Sequence, residues 1–486
     1  MYRKTPYLVV VLTLAVLIPI LPGAVANATT DAVPNQAIVT LQGRGAVDII
    51  AKRFDAVVVD SIPELNAYLF ALPEKGNLDS LLRGLSTDPA VDTSVENDIW
   101  NLPETDQISQ GFPDENVPAF VRGESPPAYY EQGAIYEIGL DSAQLLATGA
   151  GVTVAVIDNG IVRDHPLIAA SDISTGYDFI DNDTDPSEAP GLMYGHGTFV
   201  TGIVLVTAPQ CRILPLRAFN GEGHGQLFNI MRAIIYAKSN GAHIINMSFS
   251  AGQTSPMLNS ALNFGGNNQP LMVASVGNDS AEVVVYPAAH PNVMAVSAVN
   301  AEEYLATFSN YGSYVELCAP GVDVYSALPA AASGWGTWSG TSFAAPFVAG
   351  VAALSMHHTP NRPVSGVRQL LTDAAREDLA WGSIVPPDIH YGWGLIDAWE
   401  TLASMSVGDL DGSGQRDSTD LQLLIAFLNN DGEDGDQGSV VLPTGMLSPR
   451  LADVDCDGKV TIQDLASMAR LLNTKRWERV IPCVKP

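Results

Sequence analysis

Between residues 134 and 405 the sequence alternates short, unbroken apolar runs with stretches whose apolar residues recur at helical spacing, and no other feature limits the fold so tightly. The runs are residues 152–157, 213–216, 244–247, 271–275 and 293–299. An unbroken apolar run fits a strand buried on both faces; a strand with one wet side would alternate. Between two of the runs, Leu227, Phe228, Ile230, Met231, Ile234 and Ile235 mark the apolar face of a helix, and Gly241 stands where that helix should stop. Strands and helices in alternation predict an α/β fold, a doubly wound and mostly parallel sheet with helices on both faces. In such sheets the side chains that do chemistry gather beyond the carboxyl ends of strands.

The chain has 486 residues, too many for one ordinary core, and reads as several units. Residues 36–102 carry a strand–helix–strand–strand–helix order: strand 36–41, helix 46–53, strands 56–59 and 66–72, helix 79–85. This predicts a small α+β domain over residues 35–103. Residues 104–133 follow, rich in Pro, Gly and acidic residues up to about Tyr130, and read as an exposed linker open to proteolysis. The sheet-forming unit occupies residues 134–404, and an Asp- and Gly-rich unit residues 405–486.

The N-terminus reads as an export signal over residues 1–28. Arg3 and Lys4 precede an apolar stretch at residues 8–21, and Ala26-Asn27-Ala28 has the pattern of a cleavage site. A retained anchor is the other reading; Pro19, Pro22 and the shortness of the run speak against it. A second run of spanning length is absent from the sequence, so no stable membrane insertion is expected after cleavage. The 53 acidic residues outnumber 24 basic ones, for a net charge of −29, which excludes binding to nucleic acid or anionic lipid by bulk electrostatics. Of the four cysteines, Cys456 and Cys483 share the last unit and could pair after export. Cys211 and Cys318 border apolar segments and read as buried free thiols rather than a bridge.

Three short motifs carry chemistry. Asp158 follows directly on the apolar run ending at Ile157, hence at the carboxyl end of a central strand. Alone, Asp158-Asn159-Gly160 is just as good a turn. His196 sits between Gly195 and Gly197 at the start of a helical pattern; the glycines let other chains approach the imidazole. Ser342 lies in Gly340-Thr341-Ser342-Phe343-Ala344-Ala345-Pro346, at the head of an almost wholly apolar helix whose free first-turn amides suit an oxyanion. Pro346 is expected to fall where amides have no helical partners. Taken singly, the histidine could be structural and the serine a simple helix cap.

Together, in the order Asp, His, Ser, the three motifs resemble those of the subtilases, the subtilisin-like serine peptidases. The order Asp, His, Ser along the chain is the one found in subtilisin. Val273-Ala274-Ser275-Val276-Gly277-Asn278-Asp279 resembles the segment bearing the oxyanion-hole asparagine, and residues 246–250, 316–321 and 391–398 extend the likeness over about residues 134–404. The resemblance implies Asp158, His196 and Ser342 as catalytic triad. It implies Asn278 and the Ser342 N–H as oxyanion hole, and Ser248, Phe249 and Ser250 as part of the substrate cleft. Phe249 and Trp338 suggest an apolar preference there. The implied activity is hydrolysis of peptide bonds in proteins through an acyl-enzyme, by a secreted endopeptidase. It also implies that the N-terminal unit is an inhibitor-like pro-domain, the chain's own partner, with self-cleavage within residues 103–130; a permanent accessory domain is the alternative. A non-catalytic extracellular binding or assembly protein on the same scaffold is the rival reading of the whole.

The last unit repeats a loop pattern. Asp409, Asp411, Ser413 and Gly414 are followed by Asp417 and Asp420; Asp453, Asp455, Asp457 and Gly458 are followed by Thr461 and Asp464. Oxygen ligands at alternate positions, with glycine at the sixth, suit Ca2+. A duplicated loop–helix ending in Asp resembles a dockerin, which implies a small all-α module and a cohesin-like partner, with attachment to a surface or assembly. Ser413 in place of Asp and the long insert at residues 429–451 depart from that pattern, and a calcium-stiffened tail is the alternative. Asp181, Asn182, Asp183 and Asp185 read as an acidic surface loop or a further cation site.

Overall fold

The computed structural model describes residues 32–105 and 126–406, apart from residues 44, 75, 267–268, 331–333 and 361, together with residues 422, 425, 441–442 and 445–446. Asp409, Asp411, Ser413, Asp417, Asp420, Asp453, Asp455, Asp457, Thr461 and Asp464 lie outside the described residues, as do Cys456, Cys483 and residues 1–31.

The N-terminal unit contains β1 (Ala32–Leu41), α1 (Val47–Arg53), β2 (Val57–Ile62), β3 (Ala67–Ala71), α2 (Leu78–Leu85) and β4 (Val91–Asn101). The sequence did not announce β4: its residues VDTSVENDIWN lack the alternation of a half-buried strand. Pairing makes it a strand. It runs antiparallel to β1 on one side and to a three-residue strand of the next unit on the other. One face of this sheet buries Val39 and Phe70 against Leu81 and Leu85 of α2. The other face offers Ile38, Ala67 and Leu69 to the core of the larger unit.

That larger unit contains β5 (Thr153–Asp158), β6 (Tyr177–Asp178), α3 (His196–Thr207), β7 (Arg212–Arg217), β8 (His224–Gln226), α4 (Leu227–Ser239), β9 (Ile244–Met247), α5 (Pro256–Asn263), β10 (Leu271–Ser275), β11 (Val293–Val299) and β12 (Leu317–Pro320). An antiparallel pair, β13 (Val324–Ala327) and β14 (Trp335–Trp338), leads into α6 (Thr341–His358). Seven strands form one sheet in the order β12-β11-β10-β9-β5-β7-β6, every pair parallel. All five apolar runs are strands of this sheet, and α4 ends just before Gly241. Successive residues feed two cores. Val154, Val156 and Ile244 pack with Phe199 of α3 and Phe347 of α6. Ala155, Ile157 and Ile245 pack with Met231 of α4 and Leu258 of α5. Both faces are covered, which explains why the strands read as unbroken apolar runs. Cys211 and Cys318 are buried free thiols.

The two units share one core and one helix cap. Asn97 of β4 is fully buried; its Oδ1 accepts from Phe228 N (3.1 Å) in the first turn of α4, and its Nδ2 reaches Gln36 Oε1 (2.8 Å). The first amides of a helix lack intrahelical partners, and here the neighbouring unit supplies one. Asp60 of β2 pairs with Arg232 of α4 at 2.9 Å.

The stretch read as exposed linker is packed at its far end. Pro127–Tyr130 forms a helical turn, and Tyr129 is fully buried with its hydroxyl donating to Gly202 O (2.5 Å). Tyr129 belongs to no periodic pattern that could be read, but its docking beside Trp335 orders the turn.

Beneath the sheet, the short helix Gly133–Glu137 meets an acidic cluster. Glu137 O accepts from Arg376 Nη2 (3.1 Å), and the same nitrogen pairs with Glu303 Oε1 (2.6 Å), while Glu137 Oε1 is buried without a partner. Burial first, then the charge of Glu303, pushes the Glu137 carboxyl up to about 8 from 4.5. The folded chain therefore holds this proton more tightly than the unfolded chain, and stability falls as pH rises from 4.5 to about 8. Glu137→Gln should raise Tm by about 3 °C at pH 8.5, for about 1 kcal/mol at this partly exposed site. At pH 4.5 the shift should vanish. Calorimetry at both pH values checks this; equal shifts at the two would refute the assignment.

Candidate active site

Asp158 ends β5 at the centre of the sheet, and its Oδ1 lies 2.7 Å from His196 Nδ1. Both side chains are fully buried. The same Oδ1 accepts from the Asn159 amide (2.8 Å), which fixes the carboxylate, while Oδ2 is buried without a partner. His196 opens α3. The glycine after it is required: a Cβ on Gly197 would strike the Gly160 carbonyl and crowd Asn159 Oδ1. Asn159 completes the support, its Oδ1 accepting from Gly197 N (2.9 Å) and its Nδ2 donating to Met193 O (2.6 Å).

A second support was not legible in the sequence. Glu188, eight residues before the histidine, accepts from Thr198 N (2.7 Å), Thr198 Oγ1 (2.6 Å) and the Gly195 amide. It thus caps the head of α3 with a carboxylate, where the helix dipole favours one. Its burial is the largest influence on its acidity and, against these hydrogen bonds, pushes it up to about 7.

Ser342 is the second residue of α6, buried at the head of an eighteen-residue helix. Pro346 corrects one expectation. It lies inside α6, beyond the amides that have no helical partner, and so leaves the Ser342 carbonyl without its usual donor. The Ser248 hydroxyl takes that place, donating to Ser342 O at 2.8 Å and accepting from Asn246 Nδ2 at 2.9 Å. The Ser342 hydroxyl lies 3.2 Å from the Ser248 carbonyl. Ser248 therefore fixes the head of the serine helix from two sides.

Asn278 stands three residues beyond β10. Its Oδ1 accepts from Thr341 N (3.0 Å) and Thr341 Oγ1 (2.9 Å), which fixes the orientation of the amide. Asn310 staples the loop: Nδ2 donates to Val276 O (3.0 Å), and Oδ1 accepts from Asp279 N (2.9 Å). Neither Thr341 nor Asn310 could be singled out from the sequence, since each acts through another residue.

The cleft is filled by the chain's own N-terminal unit. Ile99, Trp100 and Asn101 of β4 pair with Gln226, Gly225 and His224 of β8, and Asn101 also bridges to Ser250. Leu102 N donates to Gly223 O at 3.0 Å. The Trp100 ring meets Phe249 edge-on at 6.2 Å, with Phe219 packed behind at 5.0 Å from Phe249. Trp338 lies 5.8 Å from the His196 ring. Beyond Leu102 the chain brings Glu104 to the candidate catalytic groups: Oε1 accepts from Asn278 Nδ2 (2.9 Å), and Oε2 accepts from Ser342 Oγ (2.9 Å) and lies 3.1 Å from His196 Nε2. A single oxygen within reach of both Nε2 and Oγ marks the point where a reacting group would sit.

A profile of the subtilase family matches residues 149–394, half of the chain. The chain belongs to the subtilase family. Profiles of the fervidolysin N-terminal prodomain and of the dockerin type I domain match residues 21–96 and 407–473 of this subtilase. It is 32% identical over 345 residues to the thermophilic serine proteinase of Bacillus sp. (strain AK1), covering 68% of this chain and 78% of that protein. It is 33% identical over 267 residues to thermitase of Thermoactinomyces vulgaris, covering 53% of this chain and 90% of that protein. The crystal structure of fervidolysin from Fervidobacterium pennivorans superposes with a TM-score of 0.64 at 22% identity, over 76% of this chain and 61% of that one, a likeness of fold. A lanthipeptide protease superposes with a TM-score of 0.51 at 26% identity, over 57% of this chain and 95% of that one. This subtilase is thus a serine peptidase with a prodomain and a dockerin module, and the non-catalytic reading loses its support.

Dockerin type I domains bind calcium, and subtilases commonly do. Among the described residues no group of three or more His, Cys, Asp or Glu side chains is arranged to hold a metal. In the acidic loop, Asp181 pairs with Arg217 at 2.7 Å, Asn182 accepts from Arg232 at 2.7 Å, and Asp183 Oδ1 accepts from the Asp185 amide at 2.8 Å. Among the described residues no helix is long and apolar enough to cross a membrane.

Proposed function

We propose that this subtilase is a secreted endopeptidase in which Asp158, His196 and Ser342 act as triad and Asn278 with the Ser342 N–H as oxyanion hole. The observation that carries the reading is the 2.7 Å Asp158–His196 bond together with a single Glu104 oxygen within reach of both His196 Nε2 (3.1 Å) and Ser342 Oγ (2.9 Å) at a helix head. His196 takes the proton of Ser342 as its oxygen attacks the peptide carbonyl, and Asp158 stabilises the imidazolium that forms. Asn278 Nδ2 and the Ser342 N–H hold the tetrahedral oxyanion, and the head of α6 adds its positive end. His196 then protonates the leaving amine, and water releases the acyl group.

Residues 1–28 serve as the export signal, residues 35–103 as the pro-domain, residues 104–133 as the segment cut on maturation, residues 134–404 as the peptidase, and residues 405–486 as the dockerin module. Calcium is held by the two loops beginning at Asp409 and Asp453, whose carboxylates at alternate positions suit a hard cation. A cohesin-like domain is the partner of that module, which attaches the enzyme to an extracellular surface or assembly. Incubation of the purified chain with calcium and a fluorophosphonate probe tests the peptidase reading. Label on Ser342 supports it, and a chain that never labels, even after the first 105 residues are cut away, would sink it.

The packing of Trp100 on Phe249 and Phe219 supports a preference for an aromatic side chain upstream of the scissile bond. In a peptide series scanned through those positions, one site should favour Trp or Phe over Ala by about 100-fold in kcat/KM, the scale of filling an apolar pocket. A flat profile at every upstream position would refute the assignment.

A further inference from the structure

The segment in the cleft does not lie there as a substrate would to its end. It follows the cleft through Leu102 and then turns away: Thr105 N and Thr105 Oγ1 both donate to Leu102 O, at 3.1 and 2.5 Å. The turn aims the side chain of Glu104, fully buried, at the catalytic groups. Gly340 makes the room, since a Cβ there would collide with the Glu104 carboxylate.

We propose that Glu104 is a self-inhibitory latch: in the uncut chain its side-chain carboxylate fills the oxyanion position and stands between Ser342 and His196, so the site stays silent until the turn at residues 103–105 withdraws. The proposal rests on the peptidase reading. Three observations carry it. The carboxylate takes the Asn278 Nδ2 donor that a developing oxyanion needs (2.9 Å). It accepts the hydrogen bond of the Ser342 hydroxyl (2.9 Å) and faces His196 Nε2 (3.1 Å), and no direct Ser342–His196 hydrogen bond is present among the described residues. The group nearest the nucleophile is a side-chain carboxylate, whose negative charge makes its carbon a poor target for attack, so occupancy does not lead to cleavage.

The imidazole responds in the same sense. Burial opposes its charge, but Asp158 and Glu104 together outweigh burial and raise His196 to about 10. An imidazolium cannot accept the serine proton. The latch thus blocks the nucleophile, the base and the oxyanion donor with one group. It differs from mere docking of the N-terminal unit, which depends on Asn97, on the Asp60–Arg232 pair and on the shared core.

The test uses the full-length chain with calcium and a fluorophosphonate probe, sampled before any chain has been cut, with the N-terminus followed in parallel. Glu104→Ala should label at least tenfold faster than the parent and begin self-cleavage sooner. Glu104→Gln keeps the shape without the charge and should fall between the two; it carries the test where the alanine variant fails to fold. Asn97→Ala loosens the docking of the N-terminal unit without touching Glu104, and should accelerate labelling less than Glu104→Ala does. Equal labelling of the parent and both Glu104 variants overturns the latch, as does an Asn97→Ala rate matching Glu104→Ala. Absence of label in every chain, including one cut free of its first 105 residues, overturns the peptidase reading and the latch with it.

Discussion

Ser342→Ala should lower turnover on casein by about six orders of magnitude and leave the chain at full length where the parent cuts itself. The magnitude is the one known for loss of the triad serine in subtilisin, a member of the same family. Its physical origin here is specific. In the proposed mechanism Ser342 Oγ, at the head of α6, is the nucleophile, and the Ser248 hydroxyl holds that head in place through the Ser342 carbonyl at 2.8 Å. An alanine keeps both the helix and this hydrogen bond but removes the one that Ser342 Oγ donates to the buried Glu104 carboxylate, so the uncut chain should keep its fold and lose about 1 to 2 kcal/mol of stability. What remains is the residual rate from the oxyanion hole and substrate positioning, roughly three orders above water. Casein cleavage, probe labelling and the N-terminal sequence are the readouts. A variant that still processes itself at the parental rate would remove Ser342 from the chemistry.

Asp158→Asn should lower kcat by about four orders of magnitude with KM nearly unchanged. The Asn159 amide donates to Asp158 Oδ1 at 2.8 Å and demands an acceptor there, so the oxygen of the new amide keeps that place. It then still accepts from His196 Nδ1, which preserves the orientation of the ring. The amide nitrogen falls on the buried Oδ2 position, which has no partner. The loss is therefore one of charge: nothing stabilises the imidazolium at the moment of proton transfer, and about 5 kcal/mol of transition-state stabilisation disappears. KM holds because Asp158 is buried beneath His196, away from the strands that line the cleft. Steady-state kinetics on the processed enzyme decide it. A loss under tenfold, or one confined to KM, would contradict the role assigned to Asp158.

Both predictions were legible in the sequence because the residues concerned follow from local pattern. An apolar run buried on both faces ends in Asp158, a helical pattern begins at His196, and another begins at Ser342. A strand end and two helix heads are local events, fixed by a few neighbouring residues. The parallel sheet was legible for the same reason: Val154 and Ala155 need apolar partners on opposite faces, and only a covered sheet provides both.

What escaped the sequence were the roles that side chains play across long chain separations. Thr341 orients Asn278 from 63 residues away, and Ser248 answers the carbonyl freed by Pro346 from 94 residues away. Strand β4 has no alternation of its own and is a strand only because β1 and β8 pair with it. Tyr129 orders a turn in a stretch with the composition of a linker, because Gly202 and Trp335 lie beside it. Glu104 is the sharpest case. In sequence it is one more acidic residue at the edge of an acidic, proline-rich stretch, and nothing about its neighbours marks it. The sequence by itself determined which elements form and which groups could react, since these depend on periodicity and on chemistry carried by single residues. Only the tertiary structure decided what those groups meet, because burial removes water as the alternative partner and leaves a carboxylate such as Glu104 to whatever donors the fold brings within 3 Å or so of it.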